Sequence, residues 1–426
     1  MSSTILSKFT SSVISNSSTV LVVVMALIVG YAKDSLADVN QKVVDFTRAA
    51  AASQGVHHAP NSKAEFDSGL AQFGRQFFET KALSNSNDIA CRDCHLAEFG
   101  SSDGLPVSVG VGGSGTGPAR VSGGGEIIPR NSLPLWARGE PNFKAFFWDG
   151  RVQDTGDILV SQFGEALPSS DPLVVAVHLP VVEIREMMIE NEIIASVKTE
   201  STSTAEIAYQ SIVDNLIDKE PELMRSFALY LRKSHLYNIS FLDIAKSIAA
   251  FIRQDFAIPE TRFSNFVNGE DTLSDVEVEG AYLFFGKGKC VVCHSGPYFS
   301  NFNFYAIGFP QLGFGRNGFG VDYGRYNVTH DPADLYKFRV PPLWNVDNTG
   351  PYGHSGSVAT LTAAITHHYD PLRYFDPSAI DRHERIEYYK VMLSAADAMS
   401  TVPQLTDREA EKITSFLKTL SFSNTQ

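Results

Sequence analysis

Apolar residues recur at helical spacing in four stretches of the chain, separated by long polar or glycine-rich segments. "FDSGLAQFGRQFFE" (66–79), "SFLDIAKSIAAFIRQD" (240–255), "DVEVEGAYLFFGKGK" (275–289) and "TDREAEKITSFLKTLSF" (406–422) each set apolar side chains three and four residues apart. That is the pattern of a helix with one buried face. Ser240 and Thr406 stand where N-caps belong. Ser274 with Glu277, and Thr406 with Glu409, read as capping boxes, in which a hydroxyl and a carboxylate three residues apart satisfy first-turn amides. No alternating run is long enough to predict a sheet as the main architecture. The pattern predicts a mainly α chain with long loops.

Between the members of each helix pair lies one short motif. Cys91, Cys94 and His95 form "CRDCH", and Cys290, Cys293 and His294 form "CVVCH", which uses all four cysteines of the chain. The order helix, Cys-x-x-Cys-His, long loop, helix therefore occurs twice. This predicts two domains, 38–258 and 259–426, with the boundary near "AIPETRFSNFVNGED", where a proline and polar residues interrupt the helical pattern. Cys-x-x-Cys-His is the attachment signature of c-type haem: two thiols form thioethers to the porphyrin, and the adjacent histidine ligates the iron from one face. Zinc knuckles pair their cysteines about 15 to 20 residues apart, far closer than these motifs lie. A redox dithiol needs no histidine after it, and a disulfide inside Cys-x-x-Cys is strained.

Composition and targeting agree with export. The apolar run "TVLVVVMALIVGYA" is short for a membrane span and suits a signal peptide ending at Ala37 of "SLA", so residues 1–37 are expected to be removed. An uncleaved anchor facing the periplasm is the alternative. A formal charge of −13 without a Lys/Arg cluster excludes a nucleic-acid surface. The stretch "GVGGSG" matches a dinucleotide fingerprint in letters only, because it follows no strand and runs into Pro118 rather than a helix. Its glycines are expected to let a loop fold closely over a haem edge.

Further segments, "PRNSLPLW", "FFWDGRV", "KFRVPPLWNV" and "TGPYGHSGSVATL", closely resemble the signatures of the bacterial di-haem cytochrome c peroxidase family, MauG-like enzymes included. The resemblance spans residues 60 to 422 or so and implies two cytochrome-c-like haem domains. It implies a peroxidatic N-terminal haem, a C-terminal haem that relays electrons, and a calcium ion between them. Trp148 matches the tryptophan between the haems, and Asn131, Thr349 and Pro351 match the calcium-binding positions, the last two through their carbonyls. In "LVVAVHLPVVEIREMMI" the Pro180 to Glu186-Met187 spacing places Glu186 at the acid–base position, with Glu183 and Glu190 as competitors. Splitting peroxide requires a group that moves a proton between its oxygens, and a carboxyl in an apolar pocket suits that task.

The chain also departs from the family pattern. Ala176 replaces a distal glutamine, His178 lies two residues further on, and Trp344 replaces a common arginine. Fourteen residues beyond His354, where relatives carry methionine or tyrosine, stands His368, expected as the second axial ligand of the C-terminal haem. Tyr369 serves if the helix shifts by one residue, and Met392 is a remote candidate; His354 is not expected to bind haem. In "LPVSVGVG", Val111 replaces the histidine that caps the resting iron in relatives requiring reductive activation, so an open N-terminal iron is expected.

The expected function is periplasmic reduction of hydrogen peroxide with electrons from a small cytochrome c or cupredoxin, and a homodimer is left open. A MauG-like oxidase acting on a protein side chain, or a non-catalytic electron-transfer or sensor cytochrome, are the alternatives.

Overall fold

Helices dominate the computed structural model, which describes residues 40–56, 67–189 and 202–422. In chain order they are α1 (40–53), α2 (Ser68–Glu79), α3 (Pro172–His178), α4 (Thr202–Lys219), α5 (Pro221–Tyr230) and α6 (Phe241–Asp255). Then follow α7 (Arg262–Asn268), α8 (Asp275–Phe285), α9 (Tyr326–Thr329), α10 (Leu361–His367), α11 (Arg382–Ser400) and α12 (Asp407–Lys418). A small antiparallel sheet joins β1 (Ala145–Phe146), β2 (Val152–Asp154) and β3 (Leu159–Ser161), and a second pairs β4 (Phe304–Tyr305) with β5 (Phe338–Arg339). The signal-peptide segment and Glu190 lie outside the described residues. Among the described residues no helix is long and apolar enough to cross a membrane.

The caps form as their sequences require. Asp243 accepts from the Ser240 amide at 2.7 Å while Ser240 Oγ accepts from the Asp243 amide at 3.3 Å. Glu409 and Thr406 repeat this at 3.0 and 3.3 Å, and Glu277 accepts from the Ser274 amide at 2.8 Å. Each box opens a helix that packs on the helix of the other end of its repeat: α6 on α2, and α8 on α12.

Both pairs cross at a glycine. A Cβ on Gly74 of α2 would fall 1.9 Å from the Ser247 carbonyl oxygen of α6, and a Cβ on Gly280 of α8 would fall 1.9 Å from the Lys412 carbonyl oxygen of α12. Phe251 and Phe416, each four residues beyond the carbonyl in question, close over the two crossings, with Cβ atoms 2.9 and 3.0 Å from the same points. Only glycine permits backbones to approach so nearly.

Helix α1, assigned by its sequence position to the first domain, rests instead on the C-terminal half. Arg48 Nε donates to the Phe266 carbonyl at 2.9 Å, the Phe46 and Tyr282 rings meet edge to face at 5.1 Å, and the Gly296 amide donates to Gln54 at 3.0 Å.

A buried seam of charge joins the halves. Arg130 grips Asp322 with two nitrogens at 2.7 and 2.8 Å and Asp149 with the third at 2.6 Å. Arg151 returns to Asp149 at 3.0 and 3.1 Å. Arg130, Asp149, Arg151 and Asp322 are all buried, so the cost of dehydrating each is offset only by its partners.

Candidate functional site

The first attachment motif opens into a large cavity of about 1520 Å³, solvent-open mouth included, lined by Cys91, Cys94, His95, Trp148, Ala176 and Glu186 among mostly apolar neighbours. Residues 91–93 form a 3₁₀ turn whose Cys91 carbonyl accepts from the His95 amide at 3.0 Å, which sets the two thiols and the imidazole along one wall. His95 Nδ1 pairs with the Ser101 carbonyl at 2.9 Å, which makes Nδ1 the donor and reserves Nε2 for a metal. Burial lowers this histidine to about 4, so the ring is neutral, as a ligand must be. Both cysteines are free. Burial, and next the Glu186 charge, push the Cys91 thiol up to about 12, opposite to a redox dithiol, where the thiolate is stabilised. An apolar chamber holding two free thiols and one neutral imidazole fits a covalently attached haem.

Glu186 projects into the same chamber. Burial first, and the neighbouring Glu183 charge second, push its carboxyl up to about 7. Glu183 behaves oppositely: against the burial that would raise it, Arg316 and Arg151 hold it below the ordinary carboxylate value. Arg151 reaches one oxygen at 3.1 Å and Arg316 the other at 3.4 Å. Two carboxylates three residues apart are thus separated into an ionised one and one poised near neutrality, a division suited to acid–base work.

The glycine-rich loop and the Glu186 segment clamp each other. Val111 N donates to the Arg185 carbonyl at 3.0 Å, and a Cβ on Gly110 would meet that same oxygen at 1.8 Å. Arg185 itself adopts a left-handed φ of 75°, a conformation a long side chain rarely takes and one found at constrained functional positions. Val111 is buried in the core, and Gly110 rather than Val111 lines the chamber. Among the described residues, His95 is the one imidazole lining the chamber. His178 does not line it; its Nδ1 pairs with the Val174 carbonyl at 2.7 Å and its ring meets Tyr209 and Phe241 edge to face, so it serves packing.

At the second motif, His294 Nδ1 pairs with the Phe299 carbonyl at 3.0 Å, repeating the His95 arrangement. His368, at the C-terminal end of α10, pairs Nδ1 with the Ala364 carbonyl at 2.7 Å. The His294 and His368 ring centres lie 6.5 Å apart. Two imidazoles bound to one metal at about 2 Å each hold their ring centres roughly 6 Å apart, so this pair fits an iron between them. Tyr369 donates to Thr366 at 3.4 Å, Met392 packs over Gly308, and His354 stacks on Phe338 with Nε2 against Gln311 at 3.0 Å. Trp344, where an arginine is common, donates to the Pro297 carbonyl at 2.8 Å and packs edge to face on Phe299, buttressing the loop that orients His294.

Trp148 spans the seam: its indole donates to the Asn131 carbonyl at 3.0 Å and its own carbonyl accepts from Arg339 N at 2.8 Å. Asn131 N donates to the His354 carbonyl at 2.8 Å, which brings it against the segment carrying Thr349 and Pro351. Its side-chain nitrogen is committed to the Leu105 carbonyl at 2.7 Å. Sequence reasoning missed Arg130, Arg151 and Arg316 as parts of the site. The first two sit inside the quoted segments "PRNS" and "WDGR", where a guanidinium beside a potential partner was the available signal.

The sequence profile of the di-haem cytochrome c peroxidase family matches residues 68–272. The chain is 26% identical over 297 residues to cytochrome c551 peroxidase of Nitrosomonas europaea, covering 70% of this chain and 71% of that one. It is 25% identical over 326 residues to the methylamine utilization protein MauG of Paracoccus denitrificans, covering 70% and 74% respectively. In fold it is similar to the diheme peroxidase BthA of Burkholderia thailandensis, with a TM-score of 0.62 at 20% identity over 84% of this chain and 87% of that one. A MauG-like protein associated with microbial copper homeostasis gives a TM-score of 0.59 at 24% identity, over 84% and 90%. With two histidine-bearing attachment motifs set in this mainly helical frame, the chain is similar to the di-haem cytochrome c peroxidase and MauG family.

Proposed function

We propose that the protein is an exported di-haem c peroxidase that reduces hydrogen peroxide to two waters, consuming two electrons and two protons. The electrons come from a small cytochrome c or cupredoxin through the C-terminal haem. The observation that carries this reading is one chamber holding Cys91, Cys94, His95 and a carboxyl poised near neutrality, Glu186. Two cytochrome-c-like domains, one around each glycine crossing, are part of the proposal.

Cys91 and Cys94 would hold the N-terminal haem and His95 its iron; Cys290, Cys293, His294 and His368 would hold the other. The haems supply redox equivalents and, at the N-terminal centre, the place where peroxide is activated. The chain's own contribution is proton movement and order. Ionised Glu186 takes a proton from the nearer peroxide oxygen and returns it to the departing one, which leaves as water. The wall is mostly apolar, with Ala176 where relatives use a polar group, and the one neighbouring carboxylate, Glu183, is held by Arg151 and Arg316. Trp148, on the chamber wall and tied to the backbone of the C-terminal half, lies on the electron route. Asn131, Thr349 and Pro351 offer neutral oxygens that, with water, suit calcium at the seam.

Because Val111 brings no donor atom to the chamber, the fully oxidised holoprotein is expected to react with peroxide on mixing, without prior reduction. Stopped-flow spectra of oxidised and half-reduced protein test this. A reaction seen only after one-electron reduction contradicts the reading.

The His294–His368 spacing also favours a second reading, a MauG-like oxidase acting on another protein. Two imidazoles lower a haem potential relative to histidine–methionine ligation, which makes ordinary cytochrome donors poor partners. A His368→Ala variant is expected to lose the low-spin bis-nitrogen paramagnetic resonance signal of the oxidised protein. Persistence of that signal moves the ligand elsewhere.

A further inference from the structure

A glycine-rich turn of the C-terminal half reaches into the wall of the N-terminal chamber. Gly315 must be glycine there, since a Cβ would fall 2.1 Å from the Val321 carbonyl oxygen, and the Asn317 amide donates to that oxygen at 3.0 Å. The turn presents Arg316 beside Glu183 and Glu186. Phe314 lies under the guanidinium of Arg185 at 5.0 Å, and Asp322, at the far end of the turn, is gripped by Arg130. The turn is therefore fastened to the N-terminal half at both ends, with Arg316 between.

We propose that Glu183 and Arg316, one from each half, are a pair of positioning residues that sets the proton affinity of Glu186, so that the acid–base step depends on contact between the halves. This rests on the reading of Glu186 as the acid–base group. The charged groups facing Glu186 are Glu183 from its own segment, Arg151 just before β2 and Arg316 from the turn; Cys91 and Cys94 face it as neutral groups. An anion at Glu183 opposes loss of the Glu186 proton, and a cation at Arg316 promotes it. Arg151 keeps Glu183 ionised when Arg316 is removed, so the two changes act with opposite sign.

The test uses the holoprotein and two readouts: the infrared band of the protonated Glu186 carboxyl, identified by its loss in Glu186→Gln, and the acid limb of peroxide turnover. In Glu183→Gln both midpoints are expected to fall by about one pH unit, and in Arg316→Gln to rise by about one. Arg316→Lys, which keeps the charge, is expected to return them toward the parent value. Haem absorbance reports folding in each variant. Midpoints that stay fixed, or move the same way in both variants, overturn the pair while leaving Glu186 as the acid–base group. Retention of the band and the limb in Glu186→Gln overturns that assignment and the pair with it.

Discussion

Replacing Glu186 by glutamine is expected to leave both haems in place and to cut peroxide turnover about 100-fold or more, the scale of a missing acid–base group. Glutamine keeps the shape of the side chain and its hydrogen-bonding reach, so the chamber need not rearrange; what it cannot do is exchange a proton. The raised carboxyl, at about 7, adds a second signature. Turnover should climb as pH rises through that value in the parent protein, because the ionised form accepts the first proton, and this limb should vanish in the variant. Steady-state peroxide consumption across pH, with haem content from the absorption spectrum, measures both. Turnover within a few-fold of the parent removes Glu186 from the mechanism.

Arg130→Met is expected to destabilise the protein by about 3–5 kcal/mol, since it leaves Asp149 and Asp322 as buried charges stripped of a shared partner. The denaturation midpoint of the holoprotein, followed by near-ultraviolet circular dichroism, reads the loss. A triple variant, Arg130→Met with Asp149→Leu and Asp322→Leu, should recover part of it, because the penalty comes from uncompensated charge more than from the missing attraction. A loss below about 1 kcal/mol, the scale of an exposed pair, shows that the seam is solvated. The same seam sets acid behaviour. Against the burial that would raise them, the guanidinia of Arg151 and Arg130 hold Asp149, and that of Arg130 holds Asp322, below their ordinary value. Their contribution is present above the unfolded carboxylate range and is lost as pH falls through the lowered folded values.

What the sequence disclosed follows the range of the interactions concerned. Caps at Ser240 and Thr406 are legible because donor and acceptor lie three residues apart, and the attachment motifs because thioether chemistry fixes the spacing of both thiols and the histidine. Glu186 is reached through resemblance to a family segment rather than through periodicity. Arg316 was invisible: it meets Glu183 across 133 residues of chain, and nothing local marks an arginine in a glycine-rich turn as part of a distant chamber. The placement of α1 escaped for the same reason, since Arg48 finds its carbonyl acceptor 218 residues away. Ala176 and Val111 stand out only by comparison with what relatives carry there.

The two glycine crossings carry a consequence for how this chain tolerates inherited change. Alanine is one nucleotide from glycine and is among the mildest substitutions on an exposed helix, where it stabilises. At Gly74 and Gly280 the added methyl has nowhere to go but into a carbonyl oxygen, so the smallest step in the genetic code would pry apart the helices that frame an attachment motif. Random mutagenesis of the two halves should leave these sites blank at positions that conservative-substitution scores rank as safe.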